Sequence, residues 1–299
     1  MTPVLFLIFN RPDTTQQVFN EIKKAKPNQI FVAADGPRED NKDDIIKCEE
    51  ARKIIKQVDW DCNVKTLFRT KNVGCKYAVS GAIDWFFDNV EEGIILEDDC
   101  LPSQSFFWFC QELLEKYKDN GKIKIINGNN FGYKSKDNKS YYFCNYPQVW
   151  GWATWKRTWK DYDVNIREWT IHTGFKLGQE LGWNYFEIKL QNFKWELVKT
   201  NNIDTWDYQL HFMIFKLKGT VIAPKENLIS NIGYGLNATH TKRKNQKMSI
   251  KEKEINFPLK HPSIKNINKE INYFYKINII GKYPIINYFI MRIRHAIKT

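Results

Sequence analysis

The sequence predicts an α/β fold, with a mostly parallel central sheet flanked by helices. Three observations carry that prediction. In the first half of the 299-residue chain, short apolar runs alternate with longer stretches of helical period. The runs are apolar at nearly every position, as in parallel strands covered on both faces. Each also ends in polar residues, on the side of a parallel sheet where ligands bind.

Residues 4–10 (VLFLIFN) read as the first strand and 14–26 as the helix that follows. The pattern repeats with a strand at 29–35 (QIFVAAD), a helix at 43–58, a strand at 64–69 (VKTLFR) and a helix at 77–89. A strand at 93–98 (GIILED), a helix at 103–118 and a strand at 123–127 (IKIIN) complete it. Strand–helix–strand units of this kind imply right-handed crossovers. From about Asn127 aromatic residues accumulate, notably Trp150, Trp152, Trp155 and Trp159, and several strands with one or two helices are expected up to Thr241. Beyond that point the chain turns rich in Lys, Asn and Ile.

A hydrophobic share of 42% with 15% aromatics excludes a disordered chain. The longest apolar runs fall far short of the ~20 residues that span a bilayer. Met1-Thr2-Pro3 leads straight into the first strand with no secretory signal pattern, so a cytoplasmic protein is expected, soluble or peripheral on a membrane. The six cysteines include no C-x-x-C pair, which predicts reduced thiols and no zinc site. The net charge of +12 is unevenly placed: residues 240–299 hold 14 Lys and Arg against 3 acids, leaving 32 against 31 for the rest. A neutral body argues against a nucleic-acid binder, which needs a basic face on the folded domain.

Glu97-Asp98-Asp99 is the most informative triplet. Three adjacent carboxylates at a strand end repel one another and call for a cation, and hard oxygen ligands suit Mg2+ or Mn2+. An isolated acidic triplet would be a solvated helix cap, but the end of a parallel strand favours the metal reading. Asn10-Arg11 closes the first strand and Asp35-Gly36 the second, where an aspartate can accept bonds from a base or ribose. After the third strand, Asn72, Gly74 and Lys76 open a helix whose free N–H groups would suit a phosphate, or simply form a turn. The chain has no P-loop, no G-x-G-x-x-G and no G-x-S-x-G, which argues against a P-loop ATPase, a dinucleotide-binding oxidoreductase and a serine hydrolase.

FLIFNRPD, VAADGPR, KNVGCKYAVSGAIDWFF and GIILEDDCLPSQSFFWF stand in the order and spacing of nucleotide-sugar glycosyltransferases of the GT-A fold. WGWATW, TWDYQ and NIGYGLNATH follow in turn. Over about residues 3–241 the chain resembles bacterial nucleotide-diphospho-sugar transferases related to N-acetylglucosaminyltransferase I. The resemblance implies a GT-A domain over 1–241, with a nucleotide-binding half at 1–100 and an acceptor and catalytic half at 101–241, followed by an extension at 242–299. It implies Asp99 as the metal ligand, with Glu97 and Asp98 near ribose and phosphate. It also implies Asp35 against the uracil and Arg11, with Asn10 beside it, near the base or ribose. Asp207, beside Trp206, would be the catalytic base, with Asp204 in reserve. Trp150, Gly151 and Trp152 would line the donor sugar and acceptor. His240 would complete the metal shell or be an ordinary loop histidine.

Transfer from a sugar nucleotide needs counter-charge for the departing diphosphate and a carboxylate to deprotonate the attacking hydroxyl. The expected enzyme is therefore a metal-dependent inverting glycosyltransferase; the resemblance implies a hexosyl or N-acetylhexosaminyl group, a UDP-sugar donor and a glycan or lipid-linked acceptor in bacterial surface polysaccharide assembly. Its rivals are a nucleotidyltransferase, which would want a Gly- and Lys/Arg-rich first loop, and a non-catalytic glycan or nucleic-acid binder. The tail at 272–298 interleaves apolar residues with Lys and Arg and is broken by Gly281 and Pro284. It either lies on an anionic membrane at the inner face of the cell or packs on the domain.

Overall fold

The computed structural model describes residues 1–135, 137–233, 250–263 and 267–298. The first half runs β1 (Val4–Ile8), α1 (Pro12–Ala25), β2 (Gln29–Ala34), α2 (Lys42–Lys53), β3 (Asn63–Phe68), α3 (Gly74–Phe87), β4 (Glu92–Glu97), β5 (Cys100–Pro102), α4 (Gln104–Tyr117) and β6 (Ile123–Asn127). The second half continues with β7 (Tyr141–Cys144), β8 (Trp152–Trp155), α5 (Lys156–Trp159), α6 (Ile171–Glu180), α7 (Tyr185–Lys199), α8 (Asp207–Lys216), β9 (Thr220–Pro224) and β10 (Ile229–Asn231). Two last helices follow, α9 (Lys269–Ile280) and α10 (Pro284–Lys298).

Eight strands form one sheet in the order β3-β2-β1-β4-β8-β6-β9-β7. The first four pair in parallel, β8 runs antiparallel between β4 and β6, and β7 is antiparallel to β9. This is the α/β sheet with helices that the pattern predicts, mixed rather than wholly parallel. The chain moves outward from β1 to β2 and β3 on one side and to β4 on the other. A crevice therefore opens between the carboxyl ends of β1 and β4, the topological switch point where such sheets bind ligands.

Strand alternation divides the core. Val4, Phe6 and Ile8 join one apolar cluster with Phe19 of α1 and Leu113 of α4. Leu5 and Leu7 join the other, with Phe86 of α3, Trp195 of α7 and Leu210 of α8. The exception is β3, which is largely exposed because it is the sheet edge and has no neighbour beyond it. Polar and charged residues there discourage further pairing.

Where one or two helices were expected between Asn127 and Thr241, four stand among the described residues. The start of α7 carried a readable signal: Asn184 caps the helix and Glu187 bonds back to the Asn184 N–H, a capping box.

The C-terminal segment packs. Ile255 and Leu259 fill one core cluster, and Ile271, Tyr275 and Ile280 the other. Gly281, in a left-handed φ of 104°, ends α9, and Pro284 opens α10, as their residue types dictate. Tyr275 is fully buried and its hydroxyl donates to the Asn129 carbonyl at 3.0 Å. Tyr275→Ala is predicted to remove about 3–5 kcal/mol of stability in denaturant unfolding. Tyr273→Ala, at a residue 61% exposed, should stay within about 0.5 kcal/mol of the parent.

Candidate active site

A cavity of about 540 Å³ lies at the carboxyl ends of the parallel strands. That is the size range of ligand-binding clefts. Arg11 after β1, Asp35 and Arg38 after β2, Arg69 after β3 and Glu97-Asp98-Asp99 at the end of β4 line its floor. Val149 and Trp150 ahead of β8, residues 203–208 leading into the start of α8, and Asn231 and Gly233 at and after the end of β10 complete the lining. Six carboxylates and three arginines line the space.

The triplet is held by Arg11. Its guanidinium bridges Asp98 and Asp99, bonding Asp99 Oδ2 at 2.8 Å. Asp98 also accepts the Phe9 N–H at 3.1 Å, which ties β4 to the end of β1. Burial pushes the Asp98 carboxyl above its usual range despite Arg11, and burial with the charges of Asp99 and Asp98 pushes Glu97 higher still. One guanidinium thus neutralises part of a three-carboxylate cluster, and a further cation would relieve the remainder. A Cβ on Gly233 would overlap the Asp99 carboxylate, so that backbone passes directly over the Arg11–Asp99 pair.

Among the described residues, no three His, Cys, Asp or Glu side chains make a ready metal cage. Mg2+ and Mn2+ do not require one, because one or two carboxylates plus waters and substrate phosphates complete the shell. The all-oxygen donor set and its excess negative charge fit such an ion at Asp99. His240, the other candidate ligand, lies outside the described residues.

The N-terminus of α3 corrects one expectation. Its donors are already taken by two carboxylates. Asp35 accepts from Val73 and Gly74, and Asp204 accepts from Cys75 at 2.8 Å and Lys76 at 2.7 Å. The helix opening at Gly74 is therefore not a free phosphate cradle. Gly74 itself lines the cavity, but Lys76 does not: its side chain is buried and donates to Asn201 Oδ1 at 2.7 Å. Asp204 acts as the cap that Val73 cannot supply. Asp35 lines the cavity, but its carboxylate also accepts from Gly36 N–H, and burial raises its pKa.

Asn10 and two members of the tryptophan loop also lie elsewhere. The Asn10 side chain donates to Asp44, which the Arg38 guanidinium also grips, so it braces α2. Trp152 is 1% exposed and stacks on Trp206 at 5.8 Å, because β8 is covered on both faces. Gly151 turns the chain at φ 60° against Ile229, outside the cavity lining. Trp150 and Trp206 do reach the cavity. Asp207 stands at the first position of α8, lines the cavity and accepts a bond from the Thr205 hydroxyl. It is both a first-turn helix charge and an accessible carboxylate.

Arg38, Arg69, Thr205 and Tyr208 line the cavity without having been singled out by sequence. Arg69 was legible, since it ends the third strand run as Asp35 ends the second. Behind Tyr208, the buried Lys194 of α7 sits 5.3 Å from its ring and donates to the Ile279 carbonyl at the end of α9. Burial lowers the Lys194 pKa to about 8.

No protein-family model and no curated protein matches the chain. Solved structures similar to it include S. aureus TarS 1–349, 10% identical, covering 70% of this chain and 68% of that one at a TM-score of 0.42. A galactosyltransferase, LgtC, in complex with donor and acceptor sugar analogs is 10% identical, with 71% and 70% covered and a TM-score of 0.36. Apo UDP-glucose pyrophosphorylase is 10% identical, with 75% and 90% covered and a TM-score of 0.38. At such scores these likenesses are loose, and the functional reading rests on the residues themselves.

Two outcomes follow from this geometry. Asp204→Ala should cost about 0.5–2 kcal/mol of stability, measured by denaturant unfolding, through the lost helix cap. Lys194 has the opposite sign from a paired cation. Between pH 8 and the ordinary lysine range, the unfolded chain holds a proton the folded chain has lost. The parent should therefore gain stability relative to Lys194→Met as pH rises through that window in thermal melts.

Proposed function

We propose that the chain is a metal-dependent inverting glycosyltransferase that moves a sugar from a UDP-sugar to an acceptor hydroxyl. The observation that carries this reading is one cavity lined by two kinds of carboxylate from different elements: the Arg11-buffered triplet at the end of β4 and Asp207 at the start of α8. Inverting transfer asks for that division between counter-charge and base.

In this reading residues 1–100 bind the nucleotide, 101–241 hold acceptor and base, and 242–299 form an extension. Asp99 would hold Mn2+ or Mg2+, with Glu97 and Asp98 beside it. The ion, when bound, supplies Lewis-acid counter-charge to the diphosphate. Arg38 and Arg69 add positive charge on the nucleotide side, and the base lies toward Asp35. Trp150 and Trp206 give the sugar an apolar wall. Asp207, oriented by the Thr205 hydroxyl, takes the acceptor proton as the oxygen attacks the anomeric carbon opposite the diphosphate. The anomeric C–O bond breaks and the diphosphate leaves with its electron pair, so configuration inverts.

The reading extends, on the resemblance alone, to a glycan or lipid-linked acceptor in surface polysaccharide assembly on the cytoplasmic side. A nucleotidyltransferase is disfavoured by the first loop, which is Phe9-Asn10-Arg11 alone, holds no glycine and commits its arginine to Asp98 and Asp99.

The test is UDP release from a panel of nucleotide sugars with Mn2+. Asp207→Asn is predicted to keep UDP affinity and lose transfer by roughly 10²-fold or more. Asp99→Ala or EDTA should abolish turnover, and full activity in EDTA would overturn the metal. An inactive Asp204→Asn beside an active Asp207→Asn would overturn the base. Thermal stabilisation by GDP-mannose and by no UDP-sugar would overturn the nucleotide.

A further inference from the structure

The last helix has two apolar faces, and only one is covered. Tyr288 and His295 meet Phe193 of α7 with ring centroids 6.0 and 5.9 Å apart, and this face anchors α10 to the domain. On the other side Ile285, Ile286, Phe289, Ile290, Ile293 and Ile297 are each between 41 and 79% exposed. At 3.6 residues per turn they fall within one arc of roughly 140°. Scattered exposed apolar residues are ordinary on a protein surface, but a continuous stripe of this kind marks an interaction site.

Cations border the stripe. Arg294 lies exposed along one edge and Arg292 along the other, its guanidinium 5.0 Å over the Phe193 ring. Lys282 stands exposed just ahead of the helix, and Lys189 faces the same region from α7. Residues 271–299 contain no acid at all. Of the two acids of the packed α7, Glu187 is buried and paired with Lys276 at 3.0 Å, and Glu196, exposed, belongs to α7 and not to the α10 stripe. Beside the start of α10, a groove of about 400 Å³ lined by Tyr185, Phe186, Tyr283, Ile285 and Ile286 continues the apolar face.

We propose that this face docks the protein on an anionic lipid bilayer, with α10 lying in the interfacial plane. The stripe would enter the boundary between headgroups and acyl chains while the bordering arginines and lysines meet lipid phosphates, the arrangement of an interfacial amphipathic helix. Charge complementarity selects this occupant. A second copy would press Arg294 and Lys282 toward their own images with no acid on the face to answer them, whereas an anionic membrane answers every one. Among the described residues no helix is long and apolar enough to cross a membrane, so the contact is a surface one. The inference stands on α10 and is independent of the chemistry in the cavity.

The test is flotation of the full chain with phosphatidylglycerol-containing vesicles and with pure phosphatidylcholine vesicles. Binding to the anionic vesicles is expected, weaker by at least about tenfold on phosphatidylcholine and weakened by salt. The pair Phe289→Ser/Ile293→Ser and the pair Lys282→Glu/Arg294→Glu should each reduce binding about tenfold or more. All four positions are exposed, so circular dichroism and melting should match the parent. No flotation with anionic vesicles, or equal flotation with both, would overturn the proposal. So would a micromolar dimer seen by light scattering and abolished by Phe289→Ser/Ile293→Ser, which would give the face to a second copy.

Discussion

Three consecutive carboxylates at the end of a buried strand are the constraint around which the rest of the cavity is arranged. Left alone they would repel one another in a low-dielectric wall, and neutralisation by protonation would be the cheapest escape. Arg11 supplies counter-charge to two of them. It can do so because β1 and β4 are neighbours in the sheet although distant in sequence, so the residue just beyond β1 falls beside the end of β4. The same adjacency puts the Phe9 N–H on Asp98. The switch point of the sheet is thus also its electrostatic centre, and the strand order is what makes an acidic floor tolerable.

The side of the cavity at α3 is built by a different device. The first turn of α3 needs acceptors for its N–H groups, and it draws them from two places: Asp35 from the neighbouring strand end and Asp204 from the far half of the chain. Both carboxylates resemble ligand-binding groups when read as sequence. In the folded protein both line the cavity and at the same time hold the first turn of α3.

The parallel half of the fold was legible because its strands are short, apolar throughout and separated by clear helical periods. The five runs read between residues 4 and 127 each became a strand within a residue or two. The second half was less so: in α7, Phe186 and Phe193 share one face while Trp195 stands on the other, which blurs the period, and the Asn184 cap is the stronger clue. In the site, residues at strand ends follow from the rule that places ligands there, and Arg69 at the end of the third strand run is as legible by that rule as Asp35 at the end of the second. The role of Asp204 had no local signature. Its partners lie 128 and 129 positions away, and nothing around DTWDYQ announces a cap for a helix in the other half. Lys76 misled for the complementary reason, since its neighbours in sequence say nothing of Asn201.

The place of β8 in the sheet has a consequence for how the protein is made. When synthesis has passed β4, the four parallel strands already written can pair with one another, but one margin of that sheet must wait. Its partner, Trp152–Trp155, emerges only after α4, β6 and β7. Until then the unpaired N–H and C=O groups of β4 form an open edge, the kind of surface on which nascent chains join wrongly. The acidic triplet sits at the end of that edge. Like charges on identical chains oppose each other there, so the residues that floor the finished cavity also guard the unfinished sheet.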